Sequence, residues 1–186
     1  LKKYNLISEE QFIDFSSTYL EGSKCELGKH GYSRDRRPDK PQINFGISTG
    51  INNIPSALTI QKGNVQDKKH FRTMFNLVRK VLPENSVIIF DCGANTKQNK
   101  SKIRKNNYHY LTLKAKKKKT YNKYIKLFRK KEKQTTTIND IRYEHIKIIE
   151  DDEVNYVYYS EKLAKEQLAI KQRKFRKELE KNEAKL

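Results

Sequence analysis

Val87-Ile88-Ile89-Phe90-Asp91-Cys92-Gly93-Ala94 is the stretch on which the reading of this chain turns. Its continuous apolar run predicts a strand covered on both faces, and that strand ends on a carboxylate. A second carboxylate, Asp14, lies inside another apolar run, Gln11-Phe12-Ile13-Asp14-Phe15-Ser16. A carboxylate on a buried strand is costly to desolvate unless a cation meets it. If the two strands pair in one sheet, they bring two hard oxygen donors together as a cradle for divalent metal. The 186 residues carry a formal net charge of +19, so a polyanion is the natural partner. The combination predicts metal-assisted phosphodiester chemistry.

The rest of the chain supplies a sheet for these strands. Residues 12–20 read as a strand rich in Phe, Ile, Thr and Tyr, followed by a Gly- and Pro-marked loop over 21–42. Residues 43–48 alternate apolar and polar, and 57–60 resume after Asn52-Asn53-Ile54-Pro55, predicting an antiparallel hairpin. Asp67 reads as the N-cap of a helix whose apolar face is Phe71, Met74, Phe75, Val78 and Leu82, stopped by Pro83. Asn95 caps a second, basic helix to about Asn106, and residues 108–113 form a fifth strand. The order β-β-β-α-β-α-β describes a mixed α/β sheet with helices packed on it.

Beyond residue 113 the texture changes. Residues 114–133 are dominated by lysine, with Tyr121, Tyr124 or Ile125, and Phe128 at helical spacing. Residues 143–149 and 154–159 predict a hairpin around the acidic turn Glu150-Asp151-Asp152-Glu153. Residues 160–185 predict a long helix whose apolar stripe, Leu163, Leu168, Ile170, Phe175 and Leu179, is imperfect. The expected boundary therefore divides a sheet domain, 1–113, from a lysine-rich subdomain, 114–186.

Composition narrows the partners. Lys and Arg number 41 against 22 Asp and Glu, which points to nucleic acid or an anionic surface. Hydrophobic residues are 35% and charged residues 34%, polar enough that part of the chain is expected to be extended and solvated. No apolar run approaches the roughly 20 residues of a membrane span, and no signal-peptide pattern opens the chain. Cys25 and Cys92 lack CxxC spacing, so no zinc site or disulfide framework is expected, and a reducing cytoplasm is the simplest setting. The chain starts at Leu1 and enters structure quickly, which suggests a segment upstream.

The most specific string is Gly31-Tyr32-Ser33-Arg34-Asp35-Arg36-Arg37-Pro38-Asp39, followed by Gln42 and Gly46. With the Asp14 strand before it, the hairpin of 43–60, Gly63-Asn64-Val65-Gln66-Asp67, Asp91-Cys92-Gly93-Ala94 and Tyr159-Ser160-Glu161-Lys162-Leu163-Ala164 after it, this order resembles the DDE transposases of the insertion-sequence-four superfamily. The resemblance implies an RNase H-like catalytic core with a basic helical and hairpin insertion and a long C-terminal helix. It implies Asp14 and Asp91 as catalytic metal ligands, Asp14 bridging, for two Mg²⁺ or Mn²⁺ ions in a complete enzyme. Such ions sit about 3.5–4 Å apart. It also implies double-stranded DNA, both transposon ends and target, as substrate, with no membrane partner, a homo-oligomer in the complete enzyme, and a prokaryotic, nucleoid-associated location.

One element of the family pattern is missing. The third carboxylate, a glutamate in a tyrosine–arginine–glutamate–lysine helix, has no match after Tyr159; Glu178 and Glu180 sit in a lysine-rich context that fits poorly. The N-terminal helices expected to bind transposon ends are also absent. The expectation is a partial catalytic domain, inactive alone. The plainer readings stay open beside it. Asp14 is then an exposed strand residue and Asp91 a turn cap. Arg34, Arg36 and Arg37 either grip phosphates or form a network with Asp35 and Asp39. Lys116, Lys117, Lys118 and Lys119 would attract any duplex, while Tyr121, Tyr124 and Phe128 read better as a buried stripe than as base-stacking residues. His30, His70, His109 and His145 lack metal-ligand spacing, and Cys92 reads as a small buried hydrophobe. The rival function is a non-catalytic basic module that binds nucleic acid; a ribosome-associated or RNA-folding protein fits the strand at 87–91 and the tract at 33–39 less well.

Overall fold

The computed structural model describes residues 1–4, 6–22, 24–115 and 117–183. Two compact units divide the chain, Leu1–Ala115 and Lys116–Leu186.

The first unit holds a five-stranded sheet. β1 (Glu10–Tyr19), β2 (Gln42–Gly50) and β3 (Pro55–Lys62) form an antiparallel meander, and β4 (Val87–Phe90) and β5 (His109–Thr112) add to the other edge of β1 in parallel. The order is β3-β2-β1-β4-β5, with β2 alone reversed. The two parallel steps require crossovers, and these are α1 (Asp67–Val78) and α2 (Lys97–Arg104). This is the mixed sheet of an RNase H-like core.

Both helices pack on one face of the sheet. Phe71, Met74, Phe75 and Val78 of α1 recur at helical spacing and are buried against Ile13, Phe15, Ile88 and Phe90, with Ile103 of α2 closing the cluster. Phe71 meets Phe90 at a ring distance of 4.8 Å, and Phe75 meets Tyr108 edge-on at 5.8 Å. The opposite face is different. By alternation and register it carries Phe12, Asp14, Phe45, Ile47, Leu58, Ile60, Ile89 and Leu111. Phe12 is 43% exposed, Leu58 59% and Leu111 59%. The expectation that β4 is covered on both faces is therefore corrected: Ile88 and Phe90 are buried, but Val87 and Ile89 are only half-buried, because both helices lie on the other side.

Two caps also differ from expectation. Gln66, not Asp67, is the N-cap of α1, and it makes no side-chain cap; Asp67 is the first helical residue, and its carboxylate is taken by Arg34. Thr96, not Asn95, caps α2 by accepting from the Asn99 amide, while the Asn95 side chain donates to the Leu113 carbonyl. α1 ends at Val78, before Leu82 and Pro83, although Leu82 remains buried. Cys92 is exposed rather than buried, since it follows the strand into a surface turn; Cys25 is exposed too, and both are free.

His70 lies under the sheet, buried, with Nε2 2.8 Å from Thr59 Oγ1 and its ring 4.7 Å from Phe15. Burial lowers its pKa from 6.5 to about 4. A base with a depressed folded pKa takes up its proton more readily when unfolded, so its contribution is complete above about pH 6.5 and is lost as pH falls from there toward 4. The drop amounts to about 3 kcal/mol at most. Urea midpoints of the chain at pH 7 and pH 4.5, set against those of His70→Gln, should differ by a pH dependence that the variant lacks.

The second unit opens with α3 (Lys118–Lys130), continues through an antiparallel sheet of β6 (Gln134–Ile138), β7 (Ile141–Glu150) and β8 (Glu153–Tyr159), and ends in α4 (Glu161–Glu183). Asn139-Asp140 and Asp151-Asp152 both have positive φ at each residue and close two-residue hairpins. β6 was not expected from the sequence; it is a polar edge strand exposed throughout. On α3, Tyr124, Ile125 and Phe128 are half-buried and Tyr121 is exposed. Phe128 packs on Tyr159 at 6.2 Å, and Tyr124 donates to Glu150 at 3.1 Å. Leu168, Ile170, Phe175 and Leu179 of α4 are all exposed. Among the described residues, no helix is long and apolar enough to cross a membrane.

Candidate metal and DNA site

The last parallel pair of the β1–β4 ladder is Ile13 with Phe90. Asp14 and Asp91 are the next residues on those two neighbouring strands. Neither carboxylate is buried: both residues are exposed. The desolvation cost expected from the sequence does not arise, because the strand face that bears Asp14 is open and Asp91 lies just past its strand. Each carboxylate is nevertheless tied at one oxygen. Asp14 Oδ1 accepts from the Phe15 amide at 2.8 Å, and Asp91 Oδ1 accepts from the Gly93 amide at 2.9 Å, while the Asp91 carbonyl accepts from Thr112 Oγ1 at 3.1 Å.

A third carboxylate shares the neighbourhood, one that the sequence suggested only as a helix cap. Asp67 Oδ2 accepts from Arg34 at 2.9 Å. The Asp67 carboxyl is held above its ordinary value, chiefly by burial; the Arg34 guanidinium opposes this, and the charges of Asp91 and Asp14 add to it. Gly93 lies between two of the three. A Cβ there would stand 3.0 Å from Asp67 Oδ2 and 3.2 Å from Asp91 Oδ1, so only glycine leaves the gap between these oxygens empty. The available signal was the Gly63-Asn64-Val65-Gln66-Asp67 string that starts α1. Among the described residues, no group of three or more His, Cys, Asp or Glu side chains is arranged to hold a metal ion.

The arginine tract is folded against the same end of the sheet. Gly31 and Gly63 make that approach: a Cβ on Gly31 would lie 2.1 Å from the Gly63 carbonyl, and one on Gly63 would lie 2.1 Å from the Gln42 carbonyl. Ser33 Oγ accepts from the Arg37 amide, and Arg37 donates to both oxygens of Asp39 while stacking over Tyr19. This pairing holds the Asp39 carboxyl below the usual range. Arg34 and Arg37 are thus committed to carboxylates, and Asp35 joins neither pair among the described residues. Arg36, in a left-handed conformation at φ 58°, is exposed and makes no ion pair among the described residues.

The expected lysine cluster is only partly in view. Lys117 is exposed at the N-cap of α3. Lys116 lies outside the described residues, and so do the side chains of Lys118 and Lys119.

A five-stranded sheet with one reversed strand, and two aspartates side by side, one midway along β1 and one just past β4, define the RNase H-like class of cores. Residues 8–175 match the family profile of the transposase DDE domain. The chain belongs to that DDE transposase family, whose domains act in DNA transposition and generally use divalent metal ions. No curated protein matches the chain. Among solved structures it is similar to a piggyBac transposase, seen by cryo-electron microscopy in a synaptic complex with hairpin DNA. That match has 12% identity and a TM-score of 0.45, and it covers 82% of this chain and 33% of the other. The chain thus spans about a third of that transposase's length.

Proposed function

We propose that this chain supplies the first part of a transposase catalytic core that cleaves a DNA strand and transfers its 3′ end, with Asp14 and Asp91 as two of three metal ligands. The observation that carries the reading is the placement of the two carboxylates one step past the last ladder pair of adjacent parallel strands. Their chemistry fits a hard divalent ion such as Mg²⁺ or Mn²⁺: oxygen donors only, accessible, and with one oxygen of each fixed by a backbone amide. The cleft kept clear by the missing side chain of Gly93 supports the same fit. When bound, a metal pair activates the attacking oxygen and stabilises the leaving one. Asp14 and Asp91 would hold the metal, and the arginine tract, Arg36 foremost because no carboxylate engages it among the described residues, would hold the DNA backbone.

The third ligand comes from a helix that this unit does not itself provide. The apolar side chains left exposed on the Asp14 face of the sheet, Phe12, Ile47, Leu58, Ile60 and Leu111, are the surface against which such a helix packs. The sheet unit, 1–113, is the first part of the catalytic core, and the unit from 114 on is its insertion. The lysines at the start of α3 add salt-sensitive attraction to duplex DNA. Until the third ligand is supplied, the chain holds metal weakly.

Paramagnetic broadening detects even weak binding. Mn²⁺ added to the ¹⁵N-labelled chain should broaden the amides of Asp14, Phe15, Asp91 and Gly93 first, and Asp14→Asn or Asp91→Asn should remove that effect. If broadening instead begins at Asp151 and Asp152, or ignores both substitutions, the metal-site reading fails and a non-catalytic DNA-binding module takes its place.

A further inference from the structure

Beside the carboxylates lies a pocket of about 320 Å³ that the proposed chemistry leaves unused; Ser17, Tyr32, Arg34, Asn44 and the segment 63–68 line it, and Gly93 borders it. Three observations give it a chemical character. First, α1 is twelve residues long and starts at this pocket without a side-chain cap. The amides of Lys69 and His70 both turn back to the Gln66 carbonyl, so those of Asp67 and Lys68 have no acceptor among the described residues. Amides in that position, at the positive end of a helix, favour an anion. Second, Ser17 is only 7% exposed, yet its Oγ is buried without a hydrogen-bond partner among the described residues. Buried hydroxyls almost always have partners, so one left open in a pocket lining marks a place for a ligand atom. Third, the lining carries the cations Arg34 and Lys68 and a single acid, Asp67, which Arg34 already engages at 2.9 Å.

We infer that this pocket binds a phosphodiester of the DNA strand, close to the one presented to Asp14 and Asp91. The inference rests on the proposed function for the identity of that strand. The two backbone amides and the hydroxyl are neutral, and Arg34 is taken up by Asp67, which leaves Lys68 as the cation of the lining without an ion pair among the described residues, a balance suited to the single charge of a diester. A free phosphate dianion would feel the charges of Asp67, Asp91 and Asp14, which act on one another across this same end of the sheet. A diester held at the start of α1 fixes the strand at a second point, so that the reacting phosphate meets the carboxylates in one orientation. Ser17 and Lys68 are, on this account, positioning residues.

The test is a titration of the full-length ¹⁵N-labelled chain, without metal, by a thymidine trinucleotide lacking terminal phosphates and, separately, by inorganic phosphate. The Asp67 and Lys68 amides should shift saturably, with the trinucleotide binding at least about 10-fold more tightly than phosphate. Ser17→Ala and Lys68→Gln should each weaken this binding about 3–10-fold, while Lys105→Gln, on exposed surface away from the pocket, should leave it unchanged. Lys68 is itself exposed, so its variant reports binding whether or not Ser17→Ala folds as well as the parent. The inference is overturned if those amides do not shift, if phosphate binds as tightly as the trinucleotide, or if both variants bind like the parent. Trinucleotide binding in a chain whose Asp14 and Asp91 take up no Mn²⁺ would support the pocket while removing the metal-site reading.

Discussion

Asp14→Asn and Asp91→Asn should each lower DNA strand cleavage about 10³-fold or more in a core completed by the glutamate-bearing helix. A metal ion contributes several kcal/mol of charge stabilisation to the transition state, and each 1.36 kcal/mol is a factor of ten in rate. Asparagine keeps the size of the side chain and can still accept from the Phe15 or Gly93 amide, so the local fold survives while the ligand charge is lost. Single-turnover cleavage of labelled duplex would measure the loss. The chain as it stands should cut DNA little or not at all. Robust metal-dependent turnover by this chain alone would mean that its own residues already complete the site, with Asp67 the first to suspect.

Phe71→Ala should destabilise the first unit by about 3–5 kcal/mol, the range for a large aromatic removed from a packed core. Phe71 is 0% exposed and touches both Phe75 and Phe90, joining α1 to the parallel edge of the sheet. Domains are stable by only about 5–15 kcal/mol, so the variant would lie near unfolding at room temperature. Phe12→Ala is the informative contrast. Phe12 is on the other face of the sheet, 43% exposed, and its loss should cost under about 1 kcal/mol. Urea midpoints of the two variants would therefore differ widely. A large cost at Phe12 would mean that the open face is already covered in solution, and the proposal of a helix docking there would have to be withdrawn.

The element order was legible because each element carries its own local signal. Alternation marks the hairpin, four apolar residues mark β4, and Phe71, Met74, Phe75 and Val78 mark a helical face. Caps were less legible, for a reason of chemistry. Asn95 and Thr96 are both competent caps one residue apart, and Asp67 was drawn away by Arg34, thirty-three residues earlier in the chain. β6 was missed because every residue in it is exposed, so it lacks the alternation by which a half-buried strand is recognised. Coverage of the sheet was misjudged because the composition of Val87–Phe90 says that the strand is apolar, not which side its helices take.

For the candidate site the sequence offered the two aspartates, but not their relation. That they are neighbours follows from a parallel register, Ile13 beside Phe90, which no local pattern encodes. Nor did it show that Asp67 and Gly93 border the same space, since that depends on where α1 begins relative to the end of β4. The arginine tract stood out as a string. Which arginine is held was decided by the fold: Arg37 closes on Asp39 within its own loop, Arg34 reaches across to α1, and Arg36 makes no ion pair among the described residues.

The parallel pairing of β1 with β4 also sets a timetable. Asp14 leaves the ribosome long before Asp91, and their strands cannot pair until β2, β3 and α1, which separate them in sequence, have been made. At about 5–20 residues per second, the first aspartate waits on the order of several seconds for the second. During that interval the nascent chain has no paired carboxylates, and its lysine-rich segment, residues 114–133, has yet to be made. The order of synthesis thus brings the two aspartates out ahead of the lysine-rich segment.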